Sequence, residues 1–573
     1  MKKLINDVST VVPEMLGGLA ALNPGLKVLA DGMIVVRADA ETVAQRGEVV
    51  LVSGGGAGHE PAHAGYVGPG MLSAAVAGEV FTSPSTDAVL DAIRAVAGPA
   101  GVLLIVKNYT GDRFNFGLAA EIARAEGIAV EMVVVADDVA LSASGEHAGR
   151  RGLAGTVLVH KIAGAVAAEG RPLAEVAQAA REAAAALGTM GVALTPCTVP
   201  AAGKAGFELA DNEIEWGLGI HGEPGVERGT LEPADAIVER LLARIIDDQA
   251  LQAGERVALL VNNLGGTPSS EMGIVAGSAL RYLAARGIEV ERAWGGTFLS
   301  ALEMAGVSLT ILRVDEQRLA WLDAAAHTSA WPGLSGRVAR QSAAPAPVTA
   351  AAQESEAATP GPRLTAESRL RIVIEAVCAC LIDAEPVLTE MDQRVGDGDL
   401  GFSLARGARG ILHEIDTYPA ATQPGAVLRA LSATTRRVVG GTSGPLYAVM
   451  LLRAGTVLDQ TDAADAQRWC DAFGAGVEAL MQLGGAQAGE RTMVDALLPA
   501  VDALKAALAQ SSSIGDAMQA AVDAATSGAA QTASMTPRRG RSSYVGQRAL
   551  GFADPGAHAV ALWLTAIRGA LLR

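Results

Sequence analysis

The stretch "GVLLIVKNYTGDRFNFGLAAEIARAEGIAVEMVVV", residues 101–135, decides the architecture of the first half of the chain. It opens with an unbroken apolar run, the pattern of a strand buried on both faces. A polar loop with one glycine follows, then apolar residues at helical spacing, then a second apolar run. Strand, loop, helix and strand in that order imply a parallel pair joined by a helical crossover. Ligands of such open α/β sheets bind beyond the carboxyl ends of the strands, which puts Lys107, Asn108 and Asp112 at a crevice. Taken alone, Asp112 also suits a turn or helix-cap role.

Working outward, "GEVVLVSGGG" (47–56) is another buried strand, and it runs straight into glycines. A second α/β region starts near "GVALTPCTV" (191–199) and contains "ERVALLVNNLGG" and "GIEVERAWGG". Two α/β lobes are therefore expected, about 1–187 and 188–338. Residues 339–364, "ARQSAAPAPVTAAAQESEAATPGPRL", carry four prolines and no apolar period, which marks a linker. Beyond it, segments such as "RLRIVIEAVCACLIDAEPVLTEM" and "AHAVALWLTAIRGALL" are amphipathic helices with no convincing strand between them. The expected class is multidomain: a two-lobe α/β domain, then an all-α domain of about eight helices over 365–573.

Composition narrows the function. Aromatic residues make up 3% of the chain and the net charge is −17, from 45 basic and 62 acidic residues. Few stacking surfaces and an acidic balance argue against nucleic acid and anionic membranes. A polyanionic ligand would need metal ions or helix termini. Four cysteines and an N-terminus interrupted by Asn6 and Asp7 point to a reducing, cytoplasmic setting. The Cys378-Ala-Cys380 pair falls in a helical pattern and reads as core.

Three loops in the first half carry candidate chemistry. In "VSGGGAGHEPAHAGYVGPGML" (52–72), His59 stands where a dinucleotide fingerprint would have its third glycine. The better interpretation is a loop whose backbone, at Gly56, Ala57 and Gly58, approaches a small ligand while His59 and Glu60 face it. His63, four residues on, would neighbour His59 if the segment were helical. In "WGLGIHGEPG" (216–225) a period-two pattern places Ile214, Trp216, Leu218 and Ile220 on one strand face. Glu215, Gly217, Gly219 and His221 fall on the other, where the glycines would leave a hollow beside the imidazole.

The helical part carries a different signal. "MDQRVGDGDLGFS" (391–403) holds Asp392, Asp397 and Asp399 within eight residues. Clustered carboxylates repel one another unless a hard cation such as Mg²⁺ neutralises them. Gly401 excludes an EF-hand, because it stands at the third ligand position. Three helix starts lie in the same domain: after the carboxylates, at Ser443 or Gly444 before Pro445, and at Asp554-Pro555. Helix N-termini with glycine-exposed amides bind phosphate without many lysines. With the carboxylates they make a nucleoside triphosphate site, to which Arg541 would add a cation. Neither the phosphate-loop motif of P-loop enzymes nor the H-R-D loop of protein kinases occurs.

Taken together, "GGGAGHEPAHAGYVGPGML", "KNYTGDRFNFG", "GLGIHGEPG", "VGDGDLGFS", "GGTSGPLY", "ERTMVDALLPA", "GRSSYVG" and "DPGA" resemble the single-chain, ATP-dependent dihydroxyacetone (glycerone) kinases over nearly the whole chain. The resemblance implies that His221 bonds covalently to the substrate carbonyl carbon as a hemiaminal. It implies that His59 and Asp112 hold the substrate hydroxyls, one of them acting as base, and that Gly56 and Lys107 contact the substrate. Asp392, Asp397 and Asp399 would hold two magnesium ions. Leu400, Gly401, Phe402, Ser403, Thr442, Ser443, Gly484, Met493, Arg541, Asp554, Pro555 and Gly556 would contact the nucleotide. Leu400 and Phe402 are apolar where members of the family often carry a polar residue, which suggests a subgroup such as the erythrulose kinases. A homodimer is implied, the helical domain of one subunit acting on the ketose domain of the other. Competing expectations are a phosphocarrier-dependent kinase, a ketone-binding regulator, and a cyclising FAD-AMP lyase activity at the same metal site.

Overall fold

The computed structural model describes residues 2–29, 32–141, 149–222, 225–333, 338, 362–396, 398–459, 465–539 and 542–572. The expected linker lies almost wholly outside the described residues, as do Asp397 and Arg541. The chain divides into two compact units, Met1–Ala346 and Pro347–Arg573.

The first unit contains two six-stranded sheets. The strands are β1 (Leu26–Val28), β2 (Ile34–Arg37), β3 (Val50–Ala57), β4 (Ala74–Val80), β5 (Val102–Lys107), β6 (Val130–Val135), β7 (Leu187–Ala193), β8 (Glu213–Trp216), β9 (Glu227–Thr230), β10 (Arg256–Asn263), β11 (Glu289–Gly296) and β12 (Gly306–Arg313). The first sheet runs β1-β2-β4-β3-β5-β6. Its β4, β3, β5 and β6 are mutually parallel. Every residue of β5 is buried, as the double-sided run predicts, and each large aliphatic there contributes about 1.5–3 kcal/mol. The crossover helix Thr110–Ala125 buries Phe116, Ala119, Ala120 and Ala123, the spacing of one helical face.

The second sheet departs from the expected parallel pattern. Its order is β11-β10-β12-β7-β8-β9, and only β10 and β11 pair in parallel. β12 returns between β10 and β7, antiparallel to both, and β8–β9 form an antiparallel pair. A local strand–helix–strand pattern reports the β10–β11 crossover but not where later strands insert. β8 is also shorter than its alternation suggests. It ends at Trp216 because Gly217 takes a positive φ of 62°, which turns the chain out of the sheet.

The second unit is helical, and among its described residues there are no strands. The principal helices are Arg369–Asp383, Glu385–Val395, Leu400–Glu414, Pro424–Val438, Ser443–Leu458, Ala466–Gly484, Val494–Ala509, Ile514–Gln531 and Pro555–Leu571. All but Glu385–Val395 contribute to the lining of a cavity of about 1270 Å³, largely apolar, with Val377, Leu404, Met450, Phe473 and Trp563 among its side chains. Cys378 and Cys380 lie in the first of these helices, and the four cysteines are free thiols. No described helix is long and apolar enough to cross a membrane.

Candidate active site

In the first unit, parallel pairing aligns Ser53 of β3 with Ile105 of β5, so the segments that leave these strands emerge side by side. One carries His59 and the other carries Lys107 and Asp112. His59 is fully buried. Its Nδ1–H donates to the Ser300 carbonyl at 2.9 Å, which leaves Nε2 as the lone-pair nitrogen of a neutral ring. That Nε2 is buried and has no hydrogen-bond partner. Burial, with the His221 and Lys107 charges nearby, holds the His59 pKa well below the usual histidine value.

Backbone bonds strap the loop in place. The Leu302 amide donates to Gly58 O at 2.8 Å and the Ser300 amide to His59 O at 3.2 Å. Asn262 holds the 298–299 segment by accepting from the Phe298 and Leu299 amides. Gly58 has no room for a side chain, because a Cβ would lie 2.8 Å from the Phe81 ring. The Glu60 carboxylate accepts from the Gly58 amide, and burial pushes its pKa up.

The His221 ring lies 4.9 Å from that of His59. The rings of Tyr109, at 4.4 Å, and Phe81, at 5.5 Å, also meet it edge-on. Three rings thus surround the partly buried imidazole. Gly217 serves its turn, since a Cβ there would clash with Ala140 and Val226 at 2.6 and 2.7 Å. Phe81 itself has φ +60° and stacks on His59 at 5.0 Å, a strained backbone that costs about 1–3 kcal/mol.

Lys107 and Asp112 are both buried. Both approach Gly55, where a Cβ would stand 2.5 Å from Lys107 Nζ and 3.3 Å from Asp112 Oδ2. Asp112 is in the first turn of its helix. Burial lowers the Lys107 pKa and the Asp112 charge opposes that shift. Gly56 is equally tight, its Cβ position lying 2.5 Å from the Thr82 amide nitrogen. Ala57, with Gly56, completes the buried end of β3. The expected helical relation of His59 and His63 is absent: residues 60–63 form turns, and His63 instead bonds to Lys107 and His160. Phe81, Ser300 and His160 were not legible as neighbours of the site, since each comes from a distant segment; Tyr109 lies within the Lys107–Asp112 stretch but was given no role.

In the helical unit, Asp392 is buried in the last turn of its helix and its Oδ2 accepts from the Leu400 amide at 3.2 Å. Asp399 occupies the N-cap position of the helix Leu400–Glu414. Gly401 is buried against the neighbouring helix, Ser403 is buried beside it, and Phe402 is exposed. A Cβ at Gly441 would lie 3.8 Å from Asp399 Oδ2, which brings Thr442 and the Ser443 helix start to the same edge. Leu446 of that helix reaches the Cβ position of Gly484 at 3.2 Å.

Asp554 caps the last helix, its Oδ2 accepting from the Ala557 amide at 2.8 Å, with Pro555 and Gly556 in the first turn. Met493 packs 3.7 Å from the Gly556 Cβ position. Burial pushes the Asp554 pKa up to about 6, and the Asp495 and Asp392 charges push the same way. Asp392, Asp495 and Asp554 are therefore electrostatic neighbours. Asp495 and Arg491 are residues that motif reasoning left without a role. Arg491 is fully buried at φ +61° and donates to Phe552 O at 3.0 Å, tying down the loop before Asp554.

Among the described residues no three His, Cys, Asp or Glu side chains converge closely enough to hold an ion. The middle carboxylate of the expected triad, Asp397, is not among them. The donors present are nonetheless all oxygen, the ligand type a hard dication prefers.

Comparison with known proteins follows this division. Residues 17–330 match the Dak1 domain and residues 394–569 the DAK2 domain. A triokinase/FMN cyclase from Rattus norvegicus is 44% identical, over 99% of this chain and 98% of that protein. An L-erythrulose 1-kinase from Mycolicibacterium smegmatis is 36% identical over the full length of both. The crystal structure of the dihydroxyacetone kinase of C. freundii with AMP-PNP and Mg²⁺ is 36% identical, covers 99% of each chain and superposes with a TM-score of 0.62. The chain belongs to the dihydroxyacetone kinase family of ATP-dependent kinases.

Proposed function

We propose that this kinase captures a short ketose, dihydroxyacetone or its four-carbon homologue erythrulose, on His221 and phosphorylates its terminal hydroxyl. The observation that carries most weight is the buried, unpartnered Nε2 of His59 beside the His221 ring. In the first step a neutral His221 nitrogen adds to the carbonyl carbon. The π pair moves to oxygen, and the proton on the other ring nitrogen ends on that oxygen, giving a hemiaminal. In this reading Lys107 donates a hydrogen bond to the developing oxygen. His59 Nε2 then accepts the proton of the terminal hydroxyl as its oxygen forms the bond to the γ-phosphorus and the bond to the leaving ADP breaks. Asp112 holds the hydroxyl and balances the Lys107 charge.

ATP is bound at the helix starts Leu400, Ser443 and Pro555, because helix N-termini suit phosphate. Magnesium fits the carboxylates Asp392, Asp397 and Asp399, two ions being the family expectation; when bound it neutralises phosphate charge. A homodimer in which one subunit's helical unit serves the other's ketose unit belongs to the same proposal.

Short ketoses suit His221 because they cannot close a stable five-membered ring and so present a free carbonyl. ADP release should be measured with dihydroxyacetone, both erythruloses and glycerol. The two ketose classes are expected to exceed glycerol in kcat/KM by ~10⁴, because glycerol has no carbonyl to bond. Glycerol as the preferred substrate would refute capture on His221.

A further inference from the structure

Behind Lys107 lies a chain of buried groups that the kinase chemistry does not use. Lys107 Nζ is 2.7 Å from His63 Nε2, and His63 Nδ1 is 3.0 Å from His160 Nε2. The three side chains come from β5, from the turn after β3 and from the buried helix Thr156–Ala168. Exposure is 1% for Lys107, 7% for His63 and 0% for His160, so the three groups face one another within the protein interior.

The protons on this chain can be ordered. Lys107 as an ammonium has only donors, so His63 Nε2 must accept and His63 Nδ1 must carry the proton. Ser53 gives its own proton to Ile105 O at 2.6 Å, which leaves its oxygen, 3.5 Å from His63 Nδ1, only able to accept. His160 Nε2 must accept as well, which places its proton on Nδ1. That nitrogen is buried with no hydrogen-bond partner. An orphaned donor at the end of a directed chain is costly, and it persists here where the chain ends on an active-site cation.

We propose that His63 and His160 are positioning residues: a two-imidazole relay whose tautomers keep Lys107 an ammonium and aim its free N–H at the ketose oxygen. This rests on the ketose-kinase function proposed above. The ammonium has three donors. One is held by His63 and one by Gly54 O at 3.3 Å, and the third is left on the Gly55 side, where Asp112 Oδ2 also lies. If His63 reversed its tautomer, its Nε2–H would face the ammonium head-on, and only a neutral lysine would fit.

The other ionisable groups around the relay leave it undisturbed. Tyr66, whose ring is 6.3 Å from that of His160, donates to Phe298 O and points its proton away. Asp112 favours the charged lysine. Burial pushes the His160 pKa down to about 3 and that of His63 well below its usual value, with Lys107 acting in the same direction. Neither imidazole competes for the positive charge. His59 is close enough to press on His63 but makes no bond to it.

Two substitutions in the full-length chain separate positioning from packing. H160L removes the acceptor that orients His63, whereas H160Q keeps one in its amide oxygen. H160L should raise the KM for the ketose about tenfold, the scale of a weakened hydrogen bond to a charged group. It should also move the alkaline limb of kcat/KM to lower pH, with the KM for ATP unchanged; H160Q should stay near the wild type in each. An H160L profile that overlays the wild type would overturn the relay, and so would equal losses in both variants with no shift of the limb. Should H160L fail to fold, a neutron structure of the wild-type chain decides. Deuterons on Nδ1 of both His63 and His160 are expected, and one on Nε2 of either contradicts the proposal. A wild-type chain inactive on every ketose would refute the ketose function while the neutron result still judged the relay.

Discussion

The two candidate sites are built on opposite electrostatic plans. Around His221 the protein satisfies itself: Lys107 is held by His63 and Gly54 O, Glu60 by the Gly58 amide, and His59 by Ser300 O. His59 Nε2, buried without a hydrogen-bond partner, is left for chemistry. In the helical unit like charges crowd instead. Burial raises the cost of ionising Asp554, the Asp495 and Asp392 charges add to it, and the buried Arg491 opposes it. The first site is preorganised by its own hydrogen bonds, as a group reacting with a small neutral ketone requires. Under the proposed function the second receives a cation and a polyanion together. Loss of a group should therefore damage the two sites in different ways.

The largest effect is expected from Asp399→Asn, which removes a carboxylate proposed to hold magnesium. Turnover should fall below detection while ketose affinity, measured by calorimetry without nucleotide, stays within about twofold, since exposed polar changes away from a ligand shift free energies little. Wild-type turnover at ordinary magnesium concentrations would break the contrast.

His59→Asn comes next. It keeps a polar side chain but removes the proton acceptor, and kcat should drop by about 10²–10³ with a smaller change in ketose KM. The pH dependence sharpens this. The His59 pKa lies well below 6.5 in the fold, so the ring is neutral and competent across that region and protonates only at more acidic pH. Wild-type kcat/KM should show no acid limb near 6.5 that disappears in the His59→Asn variant; finding one would show that His59 titrates as an ordinary histidine.

The smallest effect concerns stability. Burial pushes the Asp554 pKa up to about 6, well above the ordinary aspartate value of 3.8. Its ionised form therefore costs the fold stability at all pH values above 6, and the cost fades as pH falls toward 3.8. Asparagine retains the capping acceptor. Without magnesium, Asp554→Asn should raise stability at pH 7 by about 1 kcal/mol, with the gain shrinking as the pH is lowered. A gain that grows on acidification would reverse the assigned sign.

How much of this was legible in the sequence follows from the range of each interaction. β5 and its crossover helix were readable because burial and helical period are local signals. The loops bearing His59, Lys107 and Asp112 were readable because glycines and polar residues follow directly on apolar strands. Helix starts at Leu400, Ser443 and Pro555 were marked by glycine, proline and a capping aspartate. The antiparallel insertion of β12 was not legible, since pairing partners more than a hundred residues apart leave no local trace. The same holds for His63 and His160, separated by 97 positions. The strand before His221 was misjudged in length because alternation continues past Gly217 although the backbone does not. Arg491 and Asp495 were visible within a motif, but their meeting with Asp554 needed the helices to assemble.

The most direct test of ketose capture is a crystal of the chain soaked with dihydroxyacetone and without nucleotide. Electron density should run unbroken from a ring nitrogen of His221 to a tetrahedral C2 of the ketose, with His59 Nε2 within hydrogen-bond reach of a terminal hydroxyl. A planar, unattached ketone beside an ordered His221 ring would contradict covalent capture.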